Sequence, residues 1–93
     1  MMSGAALDII DVREPWEWSV ARIEGARLIP LDVFEEMSST LDRTRDLVLY
    51  CHHGMRSQFA AELLVHAGFI RVFNLSGGIE RWRLEVDPLM RGY

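Results

Sequence analysis

A chain of 93 residues, 49% hydrophobic and with three Trp and four Phe, can build one small core and is too short for two domains, so residues 1–93 are read as a single domain. The formal charge of -4, with acidic and basic residues interspersed, provides no basic stripe for a phosphate backbone and argues against nucleic acid as a partner. All ten basic residues are Arg, which excludes Schiff-base chemistry, a pyridoxal anchor and a P-loop lysine.

Met1 to Ala6 lacks a positively charged start and a long apolar run, and no later stretch approaches the roughly 20 apolar residues that cross a bilayer. The expectation is a soluble cytoplasmic protein with no membrane partner. Leu7 to Val12 (LDIIDV) is a short apolar run that reads as a buried strand. Glu14-Pro15 opens a helix, Pro being favoured in a first turn. Arg27 to Ile29, closed by Pro30, is a weaker strand. Asp32 to Leu41 reads as a helix, with Phe34, Met37 and Leu41 three and four apart. Leu47 to Tyr50 (LVLY) is a second buried strand, and Ser57 to about Ala67 a helix that Gly68 can end. Arg71 to Leu75, closed by Ser76-Gly77-Gly78, reads as the last strand. A helix follows Gly78, with Ile79 and Trp82 on one face and Pro88 limiting it. Asp87 to Tyr93 reads as a terminal segment, like Met1 to Ala6. The alternation predicts an α/β layer fold with a mostly parallel sheet of about four strands, whose functional loops gather beyond the carboxyl ends of the strands. Trp82, Phe59, Leu63 and Ile10 are the expected core, and Trp82→Ala is expected to cost roughly 3–5 kcal/mol.

One cysteine cannot form an internal disulfide, and a lone thiol suits a reducing compartment. It lies where chemistry can use it. Cys51-His52-His53-Gly54-Met55-Arg56-Ser57 follows a buried strand and runs straight into a helix, so its amides can converge in an anion-binding nest backed by a helix N-terminus. Those amides and the adjacent Arg56 should bring the thiol below its usual value of about 8.5, and Gly54 allows the cramped turn. The plain alternative is that Cys51 is a small buried apolar residue. Adjacent His52 and His53 point different ways in a tight loop, so they read as walls of the site and no metal site is expected. His66 has no spaced partner and receives no role.

With these residues in hand, the sequence resembles the rhodanese family along nearly its whole length. Asp11-Val12-Arg13-Glu14-Pro15-Trp16-Glu17-Trp18 is similar to that family's DVR-x-x-x-E-aromatic segment, and Ile23-Glu24-Gly25-Ala26 with Ile29-Pro30 to its I-x-G-A-x-x-I-P segment. Tyr50 to Ser57 is similar to the active-site loop. Gly77-Gly78-Ile79-x-x-Trp82, with Asp87-Pro88 and Tyr93, is similar to the closing region. The resemblance implies a three-layer fold and a sulfurtransferase without a cofactor. In that reading Cys51 is the catalytic residue bearing a persulfide, and His52, His53, Gly54, Met55, Arg56 and Ser57 bind substrate. The implied partners are a small sulfur-donor anion such as thiosulfate, a thiol or cyanide acceptor, and a protein donor or acceptor if the chain is a relay. Asp11 and Arg13 are expected to form a structural pair beneath the site.

Two departures stand out. Family members usually carry a helix and a strand before the DVR strand, and Met1 to Ala6 is too short for both, so one sheet edge could be exposed or covered by a second chain, as in a homodimer. Ala21-Arg22 stands where the family tends to have Gly-His. Two other functions remain in view. A rhodanese-fold cysteine phosphatase would use the same cradle, but the resembling phosphatases place five residues between Cys and Arg where this chain places the four from His52 to Met55. A non-catalytic binding module would generally lack the cysteine.

Overall fold

The computed structural model describes residues 7–93; the terminal segment Met1–Ala6 lies outside them. The two strongest apolar runs form the centre of one sheet, β1 (Leu7–Asp11) and β3 (Asp46–Tyr50), with the short strands β2 (Arg27–Leu28) and β4 (Val72–Asn74) outside them. The order is β2-β1-β3-β4 and every pairing is parallel. The α/β reading with about four parallel strands is therefore correct. In register, Asp11 lies beside both Leu28 and Tyr50, so the carboxyl ends of β1, β2 and β3 are level and the loops after them share one end of the sheet.

Strand periodicity assigns side chains to faces. Ile10 and Val12 of the β1 segment and Leu47, Leu49 and Cys51 of the β3 segment face one side, where they pack with Phe34 of α2 (Leu31–Met37) and Ala60, Ala61 and Leu64 of α3 (Met55–His66). On the other side Ile9 and Tyr50 meet Ile23 together with Ile79 and Trp82 of α4 (Gly78–Glu85). With both faces covered, the strands are apolar at successive positions, and full burial of a Leu or Ile contributes about 1.5–3 kcal/mol. Among the described residues no helix is long and apolar enough to cross a membrane.

Four expectations are corrected. Ile10 is fully buried, but Phe59 is 54% exposed and Leu63 and Trp82 are only partly buried. Leu64, expected on the inward stripe of α3 with Phe59 and Leu63, is fully buried, but its companions there are Ser57, Ala60 and Ala61, because Ser57 must meet the Cys51 sulfur and the small alanines let the helix approach the sheet. Trp82 lies at the edge of the smaller core, so its truncation removes less than the full value for a buried Trp. The helix expected over Asp32 to Leu41 stops at Met37 and continues as a 3-10 turn over Ser38–Thr40. There the hydroxyls of Ser38, Ser39 and Thr40 bond back to the carbonyls of Glu35, Glu36 and Met37 and compete with the helical pattern.

Candidate active site

Cys51 follows β3 directly and its strand parity turns the thiol inward, where it is only 1% exposed. The chain then enters α3 through Gly54, whose φ of 109° is left-handed and suits a residue without a Cβ. This turn points amides at the sulfur. Gly54 N–H donates to Cys51 Sγ at 3.1 Å and Ser57 N–H at 3.4 Å, with the Ser57 hydroxyl at 3.5 Å. Burial pushes the thiol up, but the Ser57 hydroxyl, when turned to the sulfur, and the amides of Ser57, Gly54 and Arg56 outweigh it and leave the thiol below its ordinary value.

The carbonyls of the same loop turn away, onto the start of α4. Ile79 N–H donates to Cys51 O at 2.8 Å and Glu80 N–H to His52 O at 3.1 Å. Gly78 makes this approach feasible, since it sits at φ 62° and a Cβ there would lie 2.4 Å from both carbonyl oxygens. Gly78→Ala should therefore destabilise the protein by at least about 2 kcal/mol in denaturant melts, left-handed strain alone being roughly 1–3 kcal/mol. Gly25→Ala is the control: its φ is 87° but a Cβ would meet nothing within 4 Å. If the two variants lost equal stability, the carbonyl contact would not be what requires Gly78.

A polar chain runs from the end of β1 to the start of α3. Asp11 and Arg13 are both fully buried; Asp11 Oδ1 accepts from the Arg13 amide at 2.9 Å and from Nε at 3.0 Å, and Oδ2 accepts from Nη2 at 2.7 Å. Arg13 also donates to the carbonyl of Ala21 and, through Nη1, to the Tyr93 hydroxyl at 2.6 Å. The Tyr93 hydroxyl donates in turn to Glu17 Oε2 at 2.7 Å, and Glu17 of α1 (Pro15–Val20) accepts from both Arg56 Nη atoms, at 2.7 and 2.9 Å. Burial alone would raise the Glu17 carboxyl, but Arg56, the Glu14 amide and Tyr93 lower it to about 2. Arg56 therefore pairs with Glu17, not with Glu62 on its own helix.

His52 is sandwiched between His53, centroids 4.1 Å apart, and the Tyr93 ring at 4.0 Å. Burial, then the neighbouring His53, lowers its pKa, so the ring is a neutral wall. Met55 is 83% exposed and shares with His53, Gly54, Gln58, Asn74, Ser76 and Gly77 an open cleft of about 360 Å³ on one side of the loop. On the other side Arg56 borders a cleft of about 560 Å³ with Val12, Glu14, Pro15, Pro30 and Leu31.

A family model described as the rhodanese-like domain matches residues 1–85. The chain belongs to the rhodanese-like family. It is 41% identical over 93 residues to the probable adenylyltransferase/sulfurtransferase MoeZ of Mycobacterium tuberculosis, a match covering 98% of this chain but only 24% of MoeZ. The chain thus spans about a quarter of that relative. It is 35% identical over 82 residues to the thiosulfate sulfurtransferase GlpE of Stutzerimonas stutzeri, covering 88% of this chain and 75% of GlpE. A crystal structure of a rhodanese-related protein from Thermoplasma volcanium superposes with a TM-score of 0.81 at 33% identity, covering 87% of this chain and 80% of the other.

Within this rhodanese-like domain, the loop residues expected from sequence do not all meet the sulfur. Gly54 and Ser57 donate to it, and Arg56 adds its amide, while its side chain is held by Glu17. His52, His53 and Met55 form the rim. Asp11 and Arg13 pair beneath the site. Sequence reading gave no role to Glu17 or Asn74 and left Tyr93 in a terminal tail, although Tyr93 returns to the site. Glu17 lies inside the DVR-x-x-x-E spacing, which was its signal; a single polar residue at the end of β4 gave none for Asn74.

Proposed function

We propose that this rhodanese-like domain is a sulfurtransferase that moves a sulfane sulfur from thiosulfate, or from a protein or low-molecular-weight persulfide, to a thiophilic acceptor through a Cys51 persulfide. The observation carrying this reading is the buried Cys51 sulfur facing the amides of Gly54 and Ser57, an arrangement that favours a thiolate and gives it a fixed direction of attack. The similarity to GlpE, a thiosulfate sulfurtransferase, supports the thiosulfate assignment. The Cys51 thiolate attacks the outer sulfur of thiosulfate, the S–S bond breaks, and sulfite leaves with the electron pair. An incoming cyanide or thiolate then attacks the terminal sulfur of the persulfide and releases Cys51 as thiolate. A lone thiol must stay reduced to do this, so we place the reaction in the cytoplasm. Initial rates against thiosulfate at several cyanide concentrations should give parallel double-reciprocal lines; intersecting lines would point to a ternary complex and no persulfide intermediate.

Arg56 is the cation at the rim, and Glu17 both holds it and balances it. Arg56→Ala would remove the cation and leave the buried Glu17 carboxylate without its ion-pair partner. The apparent KM for thiosulfate should rise by about tenfold or more while kcat changes less, with a smaller effect on an uncharged persulfide donor. Equal losses for charged and neutral donors would mean that Arg56 acts only by holding Glu17.

A further inference from the structure

Asn74, the last residue of β4, ties the Cys51 loop to the first turn of α3. Its Nδ2 donates to Gly54 O at 3.2 Å and to Gln58 Oε1 at 3.1 Å, while its Oδ1 lies 2.5 Å from the Ser57 hydroxyl. The two acceptors fix the amide's orientation, since only the nitrogen can face them. Oδ1 cannot donate, so Ser57 is the donor in that short bond. Ser57 has one hydroxyl proton and three acceptors in reach: Asn74 Oδ1 at 2.5 Å, Gly54 O at 3.2 Å and Cys51 Sγ at 3.5 Å. With the proton on the Asn74 side, the hydroxyl turns lone pairs toward the sulfur, which suits an S–H and opposes an S⁻.

We propose that Asn74 is a positioning residue that, by accepting the only hydroxyl proton of Ser57, competes with the Cys51 sulfur for it and so limits how much of that sulfur is thiolate. This rests on the reading of Cys51 as the nucleophile. In the resting site the sulfur is held by the Gly54 and Ser57 amides, and the hydroxyl reaches it only by giving up the Asn74 bond. Such a brake is useful, because a thiolate made too weak a base is also a weaker nucleophile. The charged and titratable groups around Cys51 are Arg56 with Glu17 of α1, the Asp11–Arg13 pair, Tyr93, Glu80 of α4, and His52 and His53 in the loop. None of them hydrogen-bonds to Asn74 or to the Ser57 hydroxyl.

The test is the pH dependence of alkylation by iodoacetamide, which reads the thiolate without any sulfur transfer and has only one cysteine to report on. Asn74→Leu removes the acceptor at similar volume and should lower the apparent thiol pKa by about one unit, the scale of a hydrogen bond to a charged group. Asn74→Asp keeps a stronger acceptor and should raise it. In a Ser57→Ala background the Asn74→Leu shift should disappear, because the effect runs through that hydroxyl. Circular dichroism melts identify any variant that fails to fold, and Asn74→Ala then replaces Asn74→Leu. A rise or no change in Asn74→Leu, or an equal shift with and without Ser57, would overturn the proposal and leave Asn74 as a brace for the loop. A missing persulfide would instead overturn the sulfurtransferase reading and leave these shifts intact.

Discussion

Arg13→Leu should destabilise the protein by about 3–5 kcal/mol, a large part of the total for a domain of this size. Asp11 and Arg13 are both completely excluded from solvent, and the carboxylate is held chiefly by Arg13, through its amide, Nε and Nη2. Removing the guanidinium leaves a buried charge, and it also takes a donor from the Ala21 carbonyl and from the Tyr93 hydroxyl oxygen. Much of this cost is the stranded partner, so the double variant Asp11→Asn with Arg13→Leu should recover a substantial part of it. Guanidinium chloride melts check both variants. A single-variant loss below about 1 kcal/mol would mean that Asp11 finds water or another donor and that the pair is not what holds the carboxyl end of β1.

Cys51→Ser should lower sulfur transfer by at least about a thousandfold while leaving stability within about 1 kcal/mol. A serine oxygen fits the same cradle and can accept from Gly54 and Ser57, so the fold has little reason to change. Its hydroxyl stays protonated at neutral pH, and the groups that hydrogen-bond the sulfur are backbone amides and the Ser57 hydroxyl, none of them a base. Retention of more than about a tenth of the rate would place the nucleophile elsewhere.

The sheet was legible because its strands are buried on both faces and read as the unbroken runs LDIIDV and LVLY, and because Pro15, Gly68 and the Gly77-Gly78 pair punctuate the helices. The position of Cys51 was legible for the same reason, as the residue just beyond a buried strand. The inward face of α3 is not legible from residue size: Phe59 is large and faces out, while Ala60, Ala61 and Ser57 are small and face in. Close packing against β3 and a hydroxyl at the sulfur select small residues, and hydrophobicity alone does not reveal that. The pairing of Arg56 was hidden for a different reason. Its partner Glu17 is 39 positions away in sequence, and no spacing along a single helix links the two. Tyr93 shows the same limit, since only the folded chain brings it between Arg13 and Glu17.

The central claim is that Cys51 carries the sulfur, and mass spectrometry of the intact protein after exposure to thiosulfate, desalted without reductant, tests it most directly. The expected result is the added mass of one sulfur on the peptide containing Cys51, lost on addition of cyanide and absent from Cys51→Ser. An unchanged mass, or added sulfur that persists in Cys51→Ser, would contradict the account.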